Sequence, residues 1–212
     1  MQYIREQGPD IAPIFEATSV ALVGASERDG SLGTVVLKNL VEAGFEGPIY
    51  PVNPGYDTVQ GRECFSSLQD IDKPVDLAVI VTPAAAVPGV LDDCGACDVS
   101  AAVILSAGFR EAGEDGRALE QAVLDRAKRH RIRFIGPNCL GIMRPDIKLN
   151  ATFSQRMAKP GQIALVSQSG AMCTAMLDWA SPRNIGFSCV ISSGIAADVD
   201  FGEMLDYLVI DP

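Results

Sequence analysis

Gly24, Ala25, Ser26, Arg28, Gly30, Ser31 and Gly33 fall within ten residues, directly after the apolar run at 19–23 and before a segment of helical periodicity. Strand, glycine-rich loop and helix in that order make a phosphate cradle. Glycines let backbone N–H groups approach a diphosphate, and the helix that follows points the positive end of its dipole at it. Arg28 is the one fixed positive charge inside the loop.

The spacing is not that of a nicotinamide dinucleotide fingerprint. G-x-G-x-x-G requires glycine where this chain has Ser26, and the next glycines come at Gly30 and Gly33. After the second apolar run stand Val52, Asn53 and Pro54, where a dinucleotide enzyme places an acidic residue for the ribose hydroxyls. An amide there can bond an adenine edge or a ribose without repelling a nearby phosphate, which admits coenzyme A or NADP. The tetrapeptide Asn53-Pro54-Gly55-Tyr56 also reads as a simple turn.

Five short apolar runs at 19–23, 49–52, 77–81, 101–105 and 133–135 alternate with helical segments expected at 34–43, 84–94 and 113–130. That rhythm predicts a Rossmann-like, doubly wound parallel sheet over residues 1–145. Ligands of such sheets bind at the carboxyl ends of the strands. The loops there carry Gly24-Ala25-Ser26, Val52-Asn53-Pro54, Val81-Thr82-Pro83, Ser106-Ala107-Gly108-Phe109 and Gly136-Pro137-Asn138-Cys139. Residues 146–160, flanked by Pro145 and ending on Pro160, show no clear periodicity and are expected to be a linker. A second βα rhythm occupies 161–212: strand 162–167, loop Gln168-Ser169-Gly170, helix 171–179, strand 187–192 and helix 201–208. So small a unit buries little area, and it is expected to be the unfinished first half of a flavodoxin-like α/β domain.

Composition narrows the partners. With 48% hydrophobic and 21% charged residues the chain builds a real core, and its formal charge of −10 argues against nucleic acid or an anionic membrane surface. No apolar run of about 18 residues and no apolar stretch near Met1 points to a membrane span or signal peptide, so the cytoplasm is the expected compartment. The six cysteines read as buried thiols.

Six blocks in order resemble the NDP-forming (ADP-forming) acyl-CoA synthetase family. They are Val-Gly-Ala-Ser with Gly-Ser-Leu-Gly, Pro-Val-Asn-Pro, Val-Thr-Pro-Ala, Ser-Ala-Gly-Phe-Arg-Glu, Gly-Pro-Asn-Cys-Leu-Gly and Ala-Leu-Val-Ser-Gln-Ser-Gly-Ala. The resemblance implies a CoA-binding domain followed by the start of a succinyl-CoA synthetase-like ligase domain. It assigns the 24–33 loop to the CoA phosphates and the Val52–Pro54 and Val81–Pro83 loops to adenosine and upper pantetheine. Asn138 and Cys139 fall where the thiol end is expected, with Ser106 on the adjoining loop. Ser167, Gln168, Ser169 and Gly170 match a phosphate-binding helix start that faces a phosphohistidine. The complete enzyme would convert acyl-CoA, ADP and phosphate to acid, CoA and ATP. It would use Mg and an ATP-grasp domain or subunit in cis or in trans. An alternative is the CoA-sensing region of a GNAT-type protein lysine acetyltransferase, and an NAD(P)-dependent oxidoreductase is disfavoured by Ser26 and Asn53.

His130, the single histidine, does not match the family's catalytic histidine and reads as a solvated surface residue among like charges. These residues alone are therefore not expected to complete the reaction. Cys94-Gly95-Ala96-Cys97 lacks the partners of a metal site, and Met172, Met176 and Trp179 read as a core-facing helical stripe.

Overall fold

The structure, a computed structural model, describes residues 10–211; the reading of the chain start falls on residues outside that range. A short helix α1 (Ala12–Phe15) leads into β1 (Val20–Val23), and α2 (Leu32–Glu42) crosses to β2 (Ile49–Val52). A small antiparallel ribbon, β3 (Thr58–Val59) and β4 (Arg62–Glu63), precedes β5 (Leu77–Ile80). Then come α3 (Val87–Ala96), β6 (Ala101–Ile104), α4 (Glu114–His130) and β7 (Arg133–Ile135). The five long strands form one parallel sheet in the order β2-β1-β5-β6-β7, as the alternating rhythm requires.

Alternation within each strand divides the core into two layers. Val20 and Leu22 face α1 and α2, while Ala21 and Val23 face the layer built on α3 and α4. Every residue of β1, β5 and β6 is buried, which is the mark of a parallel sheet covered on both faces.

The expected linker is corrected by the structure. Beyond β7 the chain forms a hairpin, β8 (Gly141–Arg144) and β9 (Leu149–Thr152), all eight residues of which are buried. Its polar residues Arg144, Asn150 and Thr152 are buried along with the apolar ones, so composition did not mark these strands as core. The hairpin belongs to a second sheet of order β10-β11-β8-β9, completed by β10 (Pro160–Ser167) and β11 (Phe187–Ser192). Helix α5 (Gly170–Ala180) follows β10, and α6 (Phe201–Ile210) follows β11.

The two sheets share one hydrophobic core. Val36, Leu37 and Leu40 of α2 pack in the same cluster as Leu149, Ala151, Ile191, Met204 and Tyr207 of the second sheet and its helix. Polar ties reinforce the join. The Asn39 amide donates to the carbonyls of Thr152 and Ser154, both at 2.8 Å, and the Tyr207 hydroxyl donates to Glu16 while its ring stacks on Phe15. On the far edge, buried Arg133 pairs with Asp198 at 3.0 Å and Glu203 at 2.8 Å.

A second correction concerns α5. Its buried positions are Cys173, Leu177 and Ala180, whereas Met172 and Trp179 are about half exposed, at 56% and 49%. Two apolar stripes lie one residue apart on this helix, so periodicity alone could not choose between them.

Asn39 bridges the two sheets through a pair of partly buried hydrogen bonds, so Asn39→Ala should cost about 1–3 kcal/mol. In a domain of this size that lowers the melting temperature by roughly 2–10 °C. Thermal unfolding followed by circular dichroism checks it, with Lys38→Ala, an exposed neighbour on the same helix, as the unaffected control.

Candidate functional site: a cavity on the sheet rim

Helix α2 starts unusually close to the end of β1. A Cβ on Gly33 would lie 2.1 Å from the Gly24 carbonyl oxygen, so only glycine lets the first helical turn settle there. Gly24 has φ of +100°, which turns the chain sharply out of the strand. Ser31 caps α2, its hydroxyl accepting from the Thr34 N–H at 3.3 Å. The Thr34 hydroxyl reaches the carbonyls of Ser26 at 2.6 Å and Arg28 at 2.8 Å, and the Ser26 hydroxyl accepts from the Arg28 N–H at 3.0 Å. The loop is thus held from both sides. The N–H groups of Leu32 and Gly33 have no acceptor among the described residues and stand at the positive end of the helix.

Beside this helix start lies a cavity of about 680 Å³, a volume suited to a cofactor-sized molecule. Eleven of the sequence-derived residues line it: Gly24, Ser26, Arg28, Ser31, Gly33, Val52, Asn53, Pro54, Val81, Thr82 and Pro83. Arg28 is exposed and is the only cation among the lining residues. The Thr82 hydroxyl oxygen is buried and lacks a hydrogen-bond partner among the described residues.

Other expected residues are placed differently. Ala25 is fully buried, and its carbonyl accepts from the Asn53 amide at 2.7 Å. The other end of that amide accepts from the Gly55 N–H at 2.9 Å, so the Asn53 side chain ties two loops together, as the turn reading requires. Gly30 is in the loop but not in the lining. Ser106 is buried and donates to the Thr82 carbonyl at 2.6 Å, supporting the loop after β5 from behind.

From Ser106 the hydrogen bonds continue toward the second sheet. Asn138, exposed and left-handed at φ +54°, donates its N–H to the Ser106 carbonyl at 2.9 Å. The Cys139 thiol is buried against the Ile104 carbonyl at 3.3 Å, and burial pushes its pKa up to about 12. The Leu140 N–H donates to Ser192, and the Ser193 N–H donates to the Ser167 carbonyl. Ser167, Gln168, Ser169 and Gly170 form the start of α5, where Ser169 caps the helix by accepting from the Met172 N–H at 3.4 Å. This group does not line the cavity. The strand-end loops form one continuous rim with the cavity at one end and the α5 start at the other.

Sequence reasoning missed Thr34 and the cavity wall made by Tyr56, Ser66, Ser67, Ala86, Val90 and Asp93. Thr34 was findable, because Ser31 followed three residues later by a side chain able to bond back is a capping pattern. The reading of His130 as solvated is corrected. Its Nε2 lies 2.9 Å from Asp92 of α3, which also pairs with Arg126, and a Cβ on Gly95 would come within 2.2 Å of the imidazole. One carboxylate of the neighbouring helix thus meets Arg126, Arg129 and His130 together.

Comparison with known proteins is decisive at this point. Residues 18–145 match the family described as CoA binding domain, and residues 160–212 match the succinyl-CoA ligase like flavodoxin domain. The chain belongs to the CoA-binding domain family. Among its relatives is an ADP-forming acetate–CoA ligase of Methanocaldococcus jannaschii, 47% identical over 193 residues, covering 91% of this chain and 27% of that protein. The alpha subunit of ADP-forming acetate–CoA ligase I from Pyrococcus furiosus is 42% identical over 198 residues, covering 92% of this chain and 43% of the subunit. A solved structure of the dinucleotide forming acetyl-coenzyme A synthetase 1 of Ca. Korarchaeum cryptofilum, in complex with phosphate and ADP, superposes with a TM-score of 0.91 at 38% identity. It covers 96% of this chain and 44% of that one. This CoA-binding-family chain therefore spans less than half the length of these relatives.

Two outcomes follow from the loop geometry. Gly33→Ala places a methyl against backbone that cannot yield, a clash expected to cost about 1–3 kcal/mol even after the gain in helix propensity. Gly30→Ala, with open space around it, carries only the left-handed backbone cost of about 1–2 kcal/mol and should leave the helix start in place. Urea unfolding ranks the two. For Cys139, a pKa of about 12 leaves a thiolate fraction near one in 10⁴ at pH 8. Timed iodoacetamide labelling with peptide mapping should find the partly buried Cys97 modified while Cys139 is untouched.

Proposed function

We propose that this chain binds coenzyme A or acyl-CoA in the rim cavity and serves as the CoA-binding part of an ADP-forming acyl-CoA synthetase. The observation that carries the reading is the helix start of α2, with its unpaired Leu32 and Gly33 N–H groups, opening into a cavity beside Arg28 and the unpartnered Thr82 hydroxyl. The diphosphate fits the N–H groups, which stabilise it without a cluster of basic side chains. Arg28 adds one charge-assisted bond. The nucleoside lies toward the loops after β2 and β5. The pantetheine arm runs past Ser106 and Asn138 toward Ser169, where the start of α5 is suited to a phosphoryl group.

The matched families support a division into a CoA-binding part over 1–145 and the beginning of a ligase part over 161–212. The hairpin β8–β9 straddles the first of these boundaries. In the complete enzyme acyl-CoA, ADP and phosphate give acid, CoA and ATP, with Mg and an ATP-grasp domain or subunit as partner. Names of relatives as ADP-forming ligases, one of them an alpha subunit, support that partnership. No helix among the described residues is long and apolar enough to cross a membrane, and we assign the protein to the cytoplasm.

Among the described residues we assign binding and orienting roles and no phosphoryl carrier. His130 is held by Asp92 at the end of α4, and the Cys139 thiol stays protonated. Calorimetric titration tests the reading. CoA and acetyl-CoA should bind while NADH and NADPH do not, and Arg28→Ala should weaken CoA by about one to two orders of magnitude and flatten its salt dependence. Incubation with acetyl phosphate or ATP should leave no acid-labile phosphate on the chain. NADPH binding as tight as CoA, or phosphate that disappears in His130→Ala, overturns the assignment.

A further inference from the structure

The cavity extends beyond the glycine loop into a slot that no phosphate can occupy comfortably. Val52, Leu68, Ala86 and Val90 line it with apolar surface, and Ser67 and Asp93 add polar groups. Asp93, on α3, is the only carboxylate among the lining residues. Gln69 fixes it by donating to Oδ1 at 2.8 Å, and Oδ2 has no partner among the described residues. The Ser67 oxygen already accepts from the Gln69 N–H at 3.2 Å, so its hydrogen is available to donate.

The topology decides which part of a ligand reaches this slot. In the order β2-β1-β5-β6-β7, the cavity is lined from the ends of β2, β1 and β5, whereas Ser106 and Asn138 follow β6 and β7. On the CoA reading, on which this inference rests, the arm leaves toward β6 and β7, so the nucleoside end is the part left for the slot. A flat purine suits apolar walls, whereas the phosphates are repelled by a carboxylate.

We propose that Asp93 determines base specificity, its free carboxylate oxygen accepting the exocyclic amino group of adenine while Ser67 donates to a ring nitrogen. The site thereby selects adenine over a base that presents a carbonyl at the same position. A hypoxanthine or guanine oxygen would face the carboxylate oxygen and leave both acceptors without a hydrogen.

The test measures dissociation constants of the chain for CoA and for its inosine analogue, in which a carbonyl replaces the exocyclic amine. Wild type should prefer CoA by about 10- to 100-fold. Asp93→Ala should weaken CoA binding to near the level of the analogue and abolish the preference. Equal binding of both ligands by wild type overturns the role of Asp93 while leaving the CoA reading intact. Equal weakening of both ligands by Asp93→Ala likewise overturns base recognition and makes Asp93 a merely structural residue. Failure of wild type to bind either ligand overturns the CoA reading itself. The wild-type comparison stands even if the variant unfolds.

Discussion

The approach of α2 to the backbone of Gly24 is the constraint on which the rest of the molecule turns. With no side chain at Gly33, the helix begins hard against the end of β1, and its unpaired N–H groups open onto the cavity. In the same first turn, Thr34 gathers the loop carbonyls. The same helix buries Val36, Leu37 and Leu40, and beyond them Asn39 grips the carbonyls at the end of β9. Moving the helix start by the width of a methyl group would shift the cradle, the shared core and the hairpin anchor together.

Charge supports this arrangement only locally. The chain carries a net −10, yet the basic residues that are buried are spent on structure: Arg133 on Asp198 and Glu203, Arg144 on Asp146 and Asp211. Burial opposes ionisation of Asp198, whose pKa is raised although the Arg133 guanidinium lies beside it. Such pairs are weak evidence of stability, but removing one partner would strand a buried charge. The cavity is left with Arg28 and backbone dipoles for anion capture, which suits a ligand bound mainly through N–H groups.

The first sheet was legible in the sequence because its strands and helices differ in period and each helix covers one face. Strands β2 and β7 were read with their observed bounds, and the other three within one residue at either end. The hairpin β8–β9 was not legible, since its buried strands carry the polar residues Arg144, Asn150 and Thr152, and Pro145 suggested irregular chain. Of the candidate site, the loops at strand ends were readable from glycine, proline and asparagine chemistry. Gly33 was singled out for contact with phosphate, while its nearest neighbour is the Gly24 carbonyl. Asp93 gave no signal, because it sits ten residues past the Pro83 loop in an ordinary helix and meets the cavity only through the packing of α3.

The continuous rim is also a ruler. Four inter-strand spacings separate β2 from β7, about 19 Å at the usual distance between neighbouring strands. Because both strands belong to one hydrogen-bonded sheet packed on both faces, that length cannot shrink to meet a small guest. The cavity already spans the ends of β2, β1 and β5, so a ligand that also meets the loop after β7 must extend across two further strands. Selection by reach thus comes from strand count alone, before any side chain at the far end is consulted.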